Sequence, residues 1–449
     1  MDARARRDRD GDKLLAILVQ TVQQKAARGA RALIAQHQPV DSRRRLARWP
    51  FWKTVPRFDR ESTTSDLVAS FRALRRGNVG ATGLEHYFGT ACVVKPLRSG
   101  RESLYMILQA LGLRRGSRVG VPLYCCDAVF MAIATAGHFP VFLDIDLSTY
   151  GLDEESVWRN RHGLDALIAV HTFGYPVNLG RIQDALGERD IPVIEDCAHS
   201  LFSEYMGMPT GSWTQASFFT FGPHKPAATG GGGLLVVNNP AIATRLEMTC
   251  RFLENPRKTE ELKHLLGTWV RGLCYARPAY GALLAMSSHS PRERRVDEAQ
   301  HRAFIDGLSL IKSGTMRHVD RAPLAARVRA FRDSLSGLER NTSEIRAAVC
   351  ETPLKMPNEP DFGTWNHFMI PVRFPSEAQR DAGRRFLRRH GIDTSPLYRN
   401  CMRNAALYGY RGGCKNGELA ARTVCTIPNH TWLTAEETQH IGDALRLCC

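Results

Sequence analysis

From about residue 90 the chain alternates short apolar runs, bounded by Gly, Pro and Asp, with stretches of helical pattern, and this rhythm restricts the fold more than any other feature. Val119–Pro122, Val141–Asp144, Ala166–Val170, Pro192–Glu195, Ala216–Phe221 and Leu234–Val237 read as strands. Glu102–Leu111 and Leu179–Leu186 read as helices between the earlier ones. Strands separated by helices imply a mainly parallel sheet with helices on its faces, an α/β fold. Ligands of such sheets bind just beyond the carboxyl ends of the strands. The polar residues that follow each apolar run are therefore the candidate site.

Those residues make chemical sense together. The strand ending at Glu195 is followed by Asp196, Cys197, Ala198 and His199, and the strand starting at Ala216 by Thr220, Phe221, Gly222, Pro223, His224 and Lys225. Thr229 then leads into Gly230–Gly233. Upstream, Ser99-Gly100-Arg101-Glu102-Ser103 opens a helix with a glycine turn, the form of a phosphate site at a helix N-terminus. Singly, each has an ordinary explanation: Asp196 as a strand-end cap, His199 as a surface histidine, Thr220 as a strand hydroxyl. Jointly they supply what pyridoxal 5'-phosphate requires, a lysine for the Schiff base, a carboxylate for the pyridinium nitrogen and donors for the phosphate. The 29 residues from Asp196 to Lys225 span two strands and their connection, enough to bring both to one end of the sheet.

The remaining composition sets limits. Apolar residues at 43% and charged residues at 24% describe a globular protein rather than a disordered one. No stretch reaches the roughly 20 apolar residues of a membrane span, and the first 30 residues lack a signal-peptide pattern, so the expectation is a cytoplasmic protein. The twelve cysteines form no CxxC pair and no metal-ligand spacing, which predicts reduced core thiols and no metal site. The net charge of +16 is uneven: residues 1–50 hold 12 Lys and Arg against 5 Asp. Within this arm Leu14, Leu18, Val22, Ala26, Ala30 and Leu33 form one helical stripe. The arm reads as a helix packed on its own domain, as peripheral contact with the inner face of a membrane, or, least well supported, as a nucleic-acid arm, since no recognition motif accompanies the charge.

The wording of these segments resembles the DegT/StrS-type sugar aminotransferases, fold type I pyridoxal phosphate enzymes. The resemblance lies in Ser-Gly-Arg-Glu-Ser-Leu from Ser99, Val-Pro-Leu-Tyr-Cys-Cys from Val121 and Pro-Val-Phe-Leu-Asp-Ile-Asp from Pro140. It continues with His-Thr-Phe-Gly-Tyr-Pro from His171, Ile-Glu-Asp-Cys-Ala-His-Ser from Ile194 and, most specific, Thr-Phe-Gly-Pro-His-Lys from Thr220. His390-Gly391-Ile392 and Ile427-Pro428-Asn429-His430-Thr431 look like small-domain landmarks, so the match runs from about residue 55 to 446. The resemblance implies a basic arm over 1–54, a large cofactor-binding domain over 55–320 and a small C-terminal α/β domain over 321–449.

It also implies roles. Lys225 is the Schiff-base lysine and proton shuttle, Asp196 the pyridine-nitrogen carboxylate and His199 a contact to the ring hydroxyl. Thr220 is a phosphate donor and Gly100, Arg101 and Glu102 the phosphate turn, with the Glu102 carboxylate turned away from the phosphate. Cys126 stands where a ring-stacking aromatic is usual, so stacking passes to Tyr124 or is replaced by a thiol. The implied reaction takes an amino group from an amino acid, L-glutamate by resemblance, to a nucleotide-linked keto-sugar, in a homodimer. The family's Asn-Tyr-Arg stretch has no counterpart here. In its place lies an apolar, aromatic segment, Leu265–Met286, read either as a helical pair packed in the dimer or as a substrate- or membrane-facing surface for a lipid-linked or other ketone. The remaining alternative is a non-catalytic membrane- or nucleic-acid-associated protein on this scaffold, which the presence of Lys225 disfavours.

Overall fold

A computed structural model describes residues 46, 48–59, 62–77, 80–89, 93–287 and 314–448. The arm's apolar stripe, Leu14 to Leu33, lies outside the described residues. The strands are β1 (Val93–Leu97), β2 (Arg118–Pro122), β3 (Phe139–Leu143), β4 (Ala166–Val170), β5 (Val193–Asp196), β6 (Glu204–Tyr205), β7 (Met208–Pro209), β8 (Ala216–Thr220), β9 (Gly233–Val237), β10 (Gly363–Thr364), β11 (Ile370–Arg373) and β12 (Val424–Ile427). The helices used below are α1 (Thr64–Arg76), α2 (Gly100–Ala110), α3 (Asp127–Thr135), α4 (Lys258–Cys274), α5 (Arg277–Ser287) and α6 (Leu324–Val349).

Seven strands form one sheet in the order β1-β9-β8-β5-β4-β2-β3. β2, β3, β4, β5 and β8 pair in parallel, and β9 alone runs against its neighbours β8 and β1. β4 is buried at all five positions and so is β9, as continuous apolar runs require when both faces of a sheet are covered. β1 carries Pro96 in its interior, tolerated because β1 is an edge strand with one side free of ladder bonds. Among the described residues two smaller sheets accompany it: β10-β6-β7, and β11 paired with β12, Ile370 opposite Ile427.

This topology puts the carboxyl ends of β1, β2, β5 and β8 on one edge of the main sheet. β9 begins on that same edge, where its first residue, Gly233, faces Leu97 and Thr220. Gly233 explains the end of the glycine run. A Cβ there would stand 2.5 Å from the backbone nitrogen of Gly100, so only glycine lets β9 pass the Ser99–Gly100 turn.

Residues 48–54 pack on the body of the protein. Trp49 stacks on His440 with ring centroids 4.0 Å apart, Thr54 is buried, and Val55 bridges Ile392. The Leu265–Met286 segment forms the end of α4 and most of α5, separated by a break at Tyr275–Ala276, with Pro278 in the first turn of α5 where its missing N–H costs nothing. Among the described residues no helix is long and apolar enough to cross a membrane, and Cys125, Cys197, Cys401, Cys414 and Cys425 are buried free thiols.

Candidate active site

Asp196 is the last residue of β5 and is buried; its carboxylate accepts a bond from the Ala198 N–H at 2.9 Å. Burial raises its pKa, opposed by that bond and by the charge of Lys225. Lys225 lies five residues past the end of β8, and its Nζ meets His199 Nε2 at 2.8 Å. Burial lowers the pKa of Lys225, while Cys126 and Asp196 act to hold its charge. The same burial, reinforced by Lys225, holds His199 well below the ordinary imidazole range. When Lys225 is protonated it donates to Nε2 of a neutral His199, which then carries its own proton on Nδ1.

The main chain around His199 is fixed from across the molecule. Asn366, between β10 and β11, donates from its amide to the carbonyls of His199 at 2.7 Å and Leu201 at 2.8 Å. Gly174 makes room for it, because a Cβ there would overlap the Asn366 side chain and stand 2.8 Å from the His199 carbonyl. Behind Asp196, His171 donates from Nε2 to Glu195 at 3.1 Å while its Nδ1 accepts from Val177 N at 3.0 Å. Glu195 also takes the N–H groups of Gly211, Trp213 and Thr214. His171, Glu195 and Cys197 lie close enough to hold a metal, yet both ring nitrogens and both carboxylate oxygens are already bonded within the protein.

The phosphate-like end of the site is built by close packing. Ser99 caps α2 through a bond from Glu102 N to its Oγ at 3.2 Å. A Cβ on Gly100 would stand 2.7 Å from Thr220 Cβ, so the first turn of α2 and the end of β8 touch. First-turn N–H groups have no carbonyl four residues back and carry the positive end of the helix dipole. The Glu102 carboxylate turns the other way, accepting from Arg98 N at 3.2 Å and from Gly314 N, and burial raises its pKa to about 7. The Arg101 guanidinium reaches Met131 in α3, 3.4 Å from its sulfur, which leaves the Arg101 main chain for the turn.

The two candidates for ring stacking have separated. Cys126 stays at the site, where burial first, and then Asp127, push its thiol to about 11 against the charge of Lys225. Tyr124 is fully buried, its ring among Tyr150, Phe173 and Tyr398 and its hydroxyl bonded to the Leu397 carbonyl at 3.0 Å. Tyr398, which the sequence did not single out, lies 6.3 Å from His199 with the two ring planes 15° apart. His224, next to the lysine, is outside this group. It stacks on Phe58 at 4.1 Å, approaches the Tyr275 hydroxyl at 3.3 Å and is lowered by burial to about 4.

Residues 81–272 and 326–446 match the DegT/DnrJ/EryC1/StrS aminotransferase family. The chain belongs to that family. Among individual DegT/DnrJ/EryC1/StrS relatives, GDP-perosamine synthase of Escherichia coli O157:H7 is 32% identical over 148 residues, 33% of this chain and 41% of that protein. A UDP-N-acetyl-3-dehydro-alpha-D-glucosamine 3-aminotransferase of Acidithiobacillus ferrooxidans is 30% identical over 198 residues, 43% of this chain and 50% of the relative. The chain thus spans half or less of the length of these curated relatives. In structure it is similar to the aminotransferase TlmJ of Streptoalloteichus hindustanus, with a TM-score of 0.68, 20% identity and coverage of 88% and 98% of the two chains. That likeness establishes the fold, that of a fold type I aminotransferase.

The residues present suit the cofactor on which the DegT/DnrJ/EryC1/StrS family depends. Lys225 is a half-buried amine whose charged form is disfavoured, Asp196 is a buried carboxylate within its electrostatic reach, and Gly100 meets Thr220 at a capped helix N-terminus. A planar pyridine bearing a phosphate and a carbonyl requires those three features at one strand edge.

Proposed function

We propose that the chain is a pyridoxal 5'-phosphate-dependent aminotransferase. It takes an amino group from an amino acid, L-glutamate, and delivers it to the ketone of a nucleotide-linked sugar in amino-sugar synthesis. The observation that carries this reading is the meeting of Lys225 with His199 at 2.8 Å beside buried Asp196. Asp196 would hold the ring nitrogen, Thr220 with the main chain of Gly100 and Arg101 would hold the phosphate, and His199 would contact the ring hydroxyl. When bound, the cofactor supplies a carbon that exchanges amines and a ring that takes up the electron pair of the reacting carbon. Lys225 Nζ, more easily neutral than an exposed lysine, accepts and returns the proton at the reacting carbon. His199 holds that nitrogen in place by accepting its hydrogen bond, and a surplus of positive charge favours an anionic acceptor.

The same reading includes a division near residue 320 between cofactor-binding and small domains, and a homodimer. Leu262, Leu266, Trp269, Val270 and Leu273 recur along the outer face of α4 and are each at least 40% exposed. An apolar stripe of that length belongs against a partner surface, and a second copy is the partner this reading supplies. The test is direct. The chain loaded with pyridoxal phosphate should convert L-glutamate to 2-oxoglutarate once per amino group delivered, measured over a panel of nucleotide-linked keto-sugars. Loss of glutamate conversion with every acceptor present would contradict the reaction class, and sedimentation at the mass of one chain would contradict the dimer.

A further inference from the structure

The slot bounded by Asp196, Cys126 and His199 has a fourth neighbour, which follows all three at a distance in the chain. Tyr398 is half-buried, and its ring plane lies within 15° of that of His199 at a centroid distance of 6.3 Å. Burial first, and then the nearness of the ionisable Cys126 and Asp196, raises its phenol well above the ordinary range. Cys126 offers little area to a planar ring. A half-buried tyrosine whose ring lies nearly parallel to that of His199 offers an aromatic face.

The main chain holds Tyr398 there against its own preference. Its φ is +59°, in the left-handed region that non-glycine residues adopt at a cost and that persists only where the surroundings enforce it. The enforcement is visible on both sides. The buried Tyr124 hydroxyl donates to the carbonyl of Leu397 at 3.0 Å, and the Tyr124 ring meets the Tyr398 ring edge-to-face, 5.4 Å apart at 82°. Cys401 N bonds the Tyr398 carbonyl at 2.9 Å, tying the turn to the helix that follows.

We propose that Tyr398 forms an aromatic wall of the cofactor slot, contacting the pyridine ring, and that Tyr124 is the positioning residue that holds Tyr398 there. The proposal rests on the cofactor reading above and deepens it. Tyr398 ties the slot to the segment that precedes β12, so the wall is complete only when that segment is docked on the main sheet. Tyr124, although it follows β2 at the site's own edge, acts through Tyr398 and touches no ligand.

The test measures pyridoxal phosphate affinity and the absorption spectrum of the bound cofactor, in the full chain, for Tyr398→Leu, Tyr398→Phe and Tyr124→Phe. Leucine keeps much of the volume and removes the aromatic face, so Tyr398→Leu should weaken cofactor binding about tenfold or more and shift the absorption maximum. Tyr398→Phe should restore most of the affinity lost in Tyr398→Leu. Tyr124→Phe deletes one buried hydrogen bond and should weaken binding about three- to tenfold, an effect that should vanish in the Tyr398→Leu background because both act through one ring. Native affinity and spectrum in Tyr398→Leu, with the native chain binding cofactor, would overturn this proposal alone. Additive losses in the double variant would overturn the positioning role of Tyr124. A native chain that takes up no pyridoxal phosphate would overturn the cofactor reading and this proposal with it.

Discussion

Gly233→Ala is the perturbation that most directly connects packing to the site. A Cβ at this position would stand 2.5 Å from Gly100 N and 2.5 Å from the Ser99 carbonyl oxygen. Ordinary contact begins near 3.4 Å, so β9 and the Ser99–Gly100 turn must separate by about 1 Å, and both neighbours are main chain that cannot rotate away. Overpacking of this kind costs about 1–3 kcal/mol, while alanine returns about 0.4–1 kcal/mol by restricting the unfolded chain. The net destabilisation should therefore be about 0–2.5 kcal/mol, modest enough for the protein to fold. The larger effect falls on the site, because the displaced turn is the one that meets Thr220, and a misplacement of about 1 Å can cost on the order of a hundredfold. Cofactor titration by intrinsic fluorescence, alongside urea unfolding, separates the two effects. Gly267→Ala in α4, whose Cβ would find only Arg271 at 3.7 Å, should bind cofactor normally and be up to about 1 kcal/mol more stable. If Gly233→Ala binds cofactor as tightly as the native chain, the close approach of β9 to the turn is not what shapes this end of the site.

Thr220→Val keeps the shape of the side chain and removes one donor, so cofactor affinity should fall by about 1.5–3 kcal/mol with little change in turnover at saturating cofactor; an unchanged dissociation constant would turn Thr220 away from the phosphate. Glu102 has a folded-state pKa of about 7, above its unfolded value of 4.5, so the stability it contributes is fully present below pH 4.5 and is lost as pH rises through 7. That loss is at most about 3 kcal/mol, and Glu102→Gln should flatten the pH dependence of the unfolding midpoint over that window. Asp196→Asn should keep the fold and most cofactor binding but lose most of the transamination rate, because an amide cannot keep the ring nitrogen protonated; a native rate would move that contact elsewhere.

Much of the fold was legible because local signals and burial agree. The runs Ala166–Val170 and Leu234–Val237 are apolar throughout and are buried throughout. β1 escaped notice because Lys95 and Pro96 interrupt its pattern, and both are admissible on an edge strand. Within the site, Asp196 and Thr220 end strands and His199 and Lys225 come within five residues after them, where the chain itself advertises polar groups at a carboxyl edge. Asn366 and Tyr398 carry no such signal. Asn366 acts through the carbonyls of His199 and Leu201, some 165 residues away, and Tyr398 acts through a turn whose conformation depends on Tyr124. Pairings at that separation are set by tertiary contacts between distant loops and leave no periodicity in the sequence. Tyr124 illustrates the same limit from the other side: its place after β2 pointed to the site, while its side chain turned into the core.

Reduction of the cofactor-loaded chain with borohydride, followed by proteolysis and mass spectrometry, tests the central claim most directly. If Lys225 is the amine that carries the cofactor, one peptide should gain the mass of a pyridoxyl phosphate group, fragmentation should place it on Lys225, and Lys225→Ala should take up none. Labelling of any other lysine, or equal labelling of the native chain and Lys225→Ala, would contradict the account.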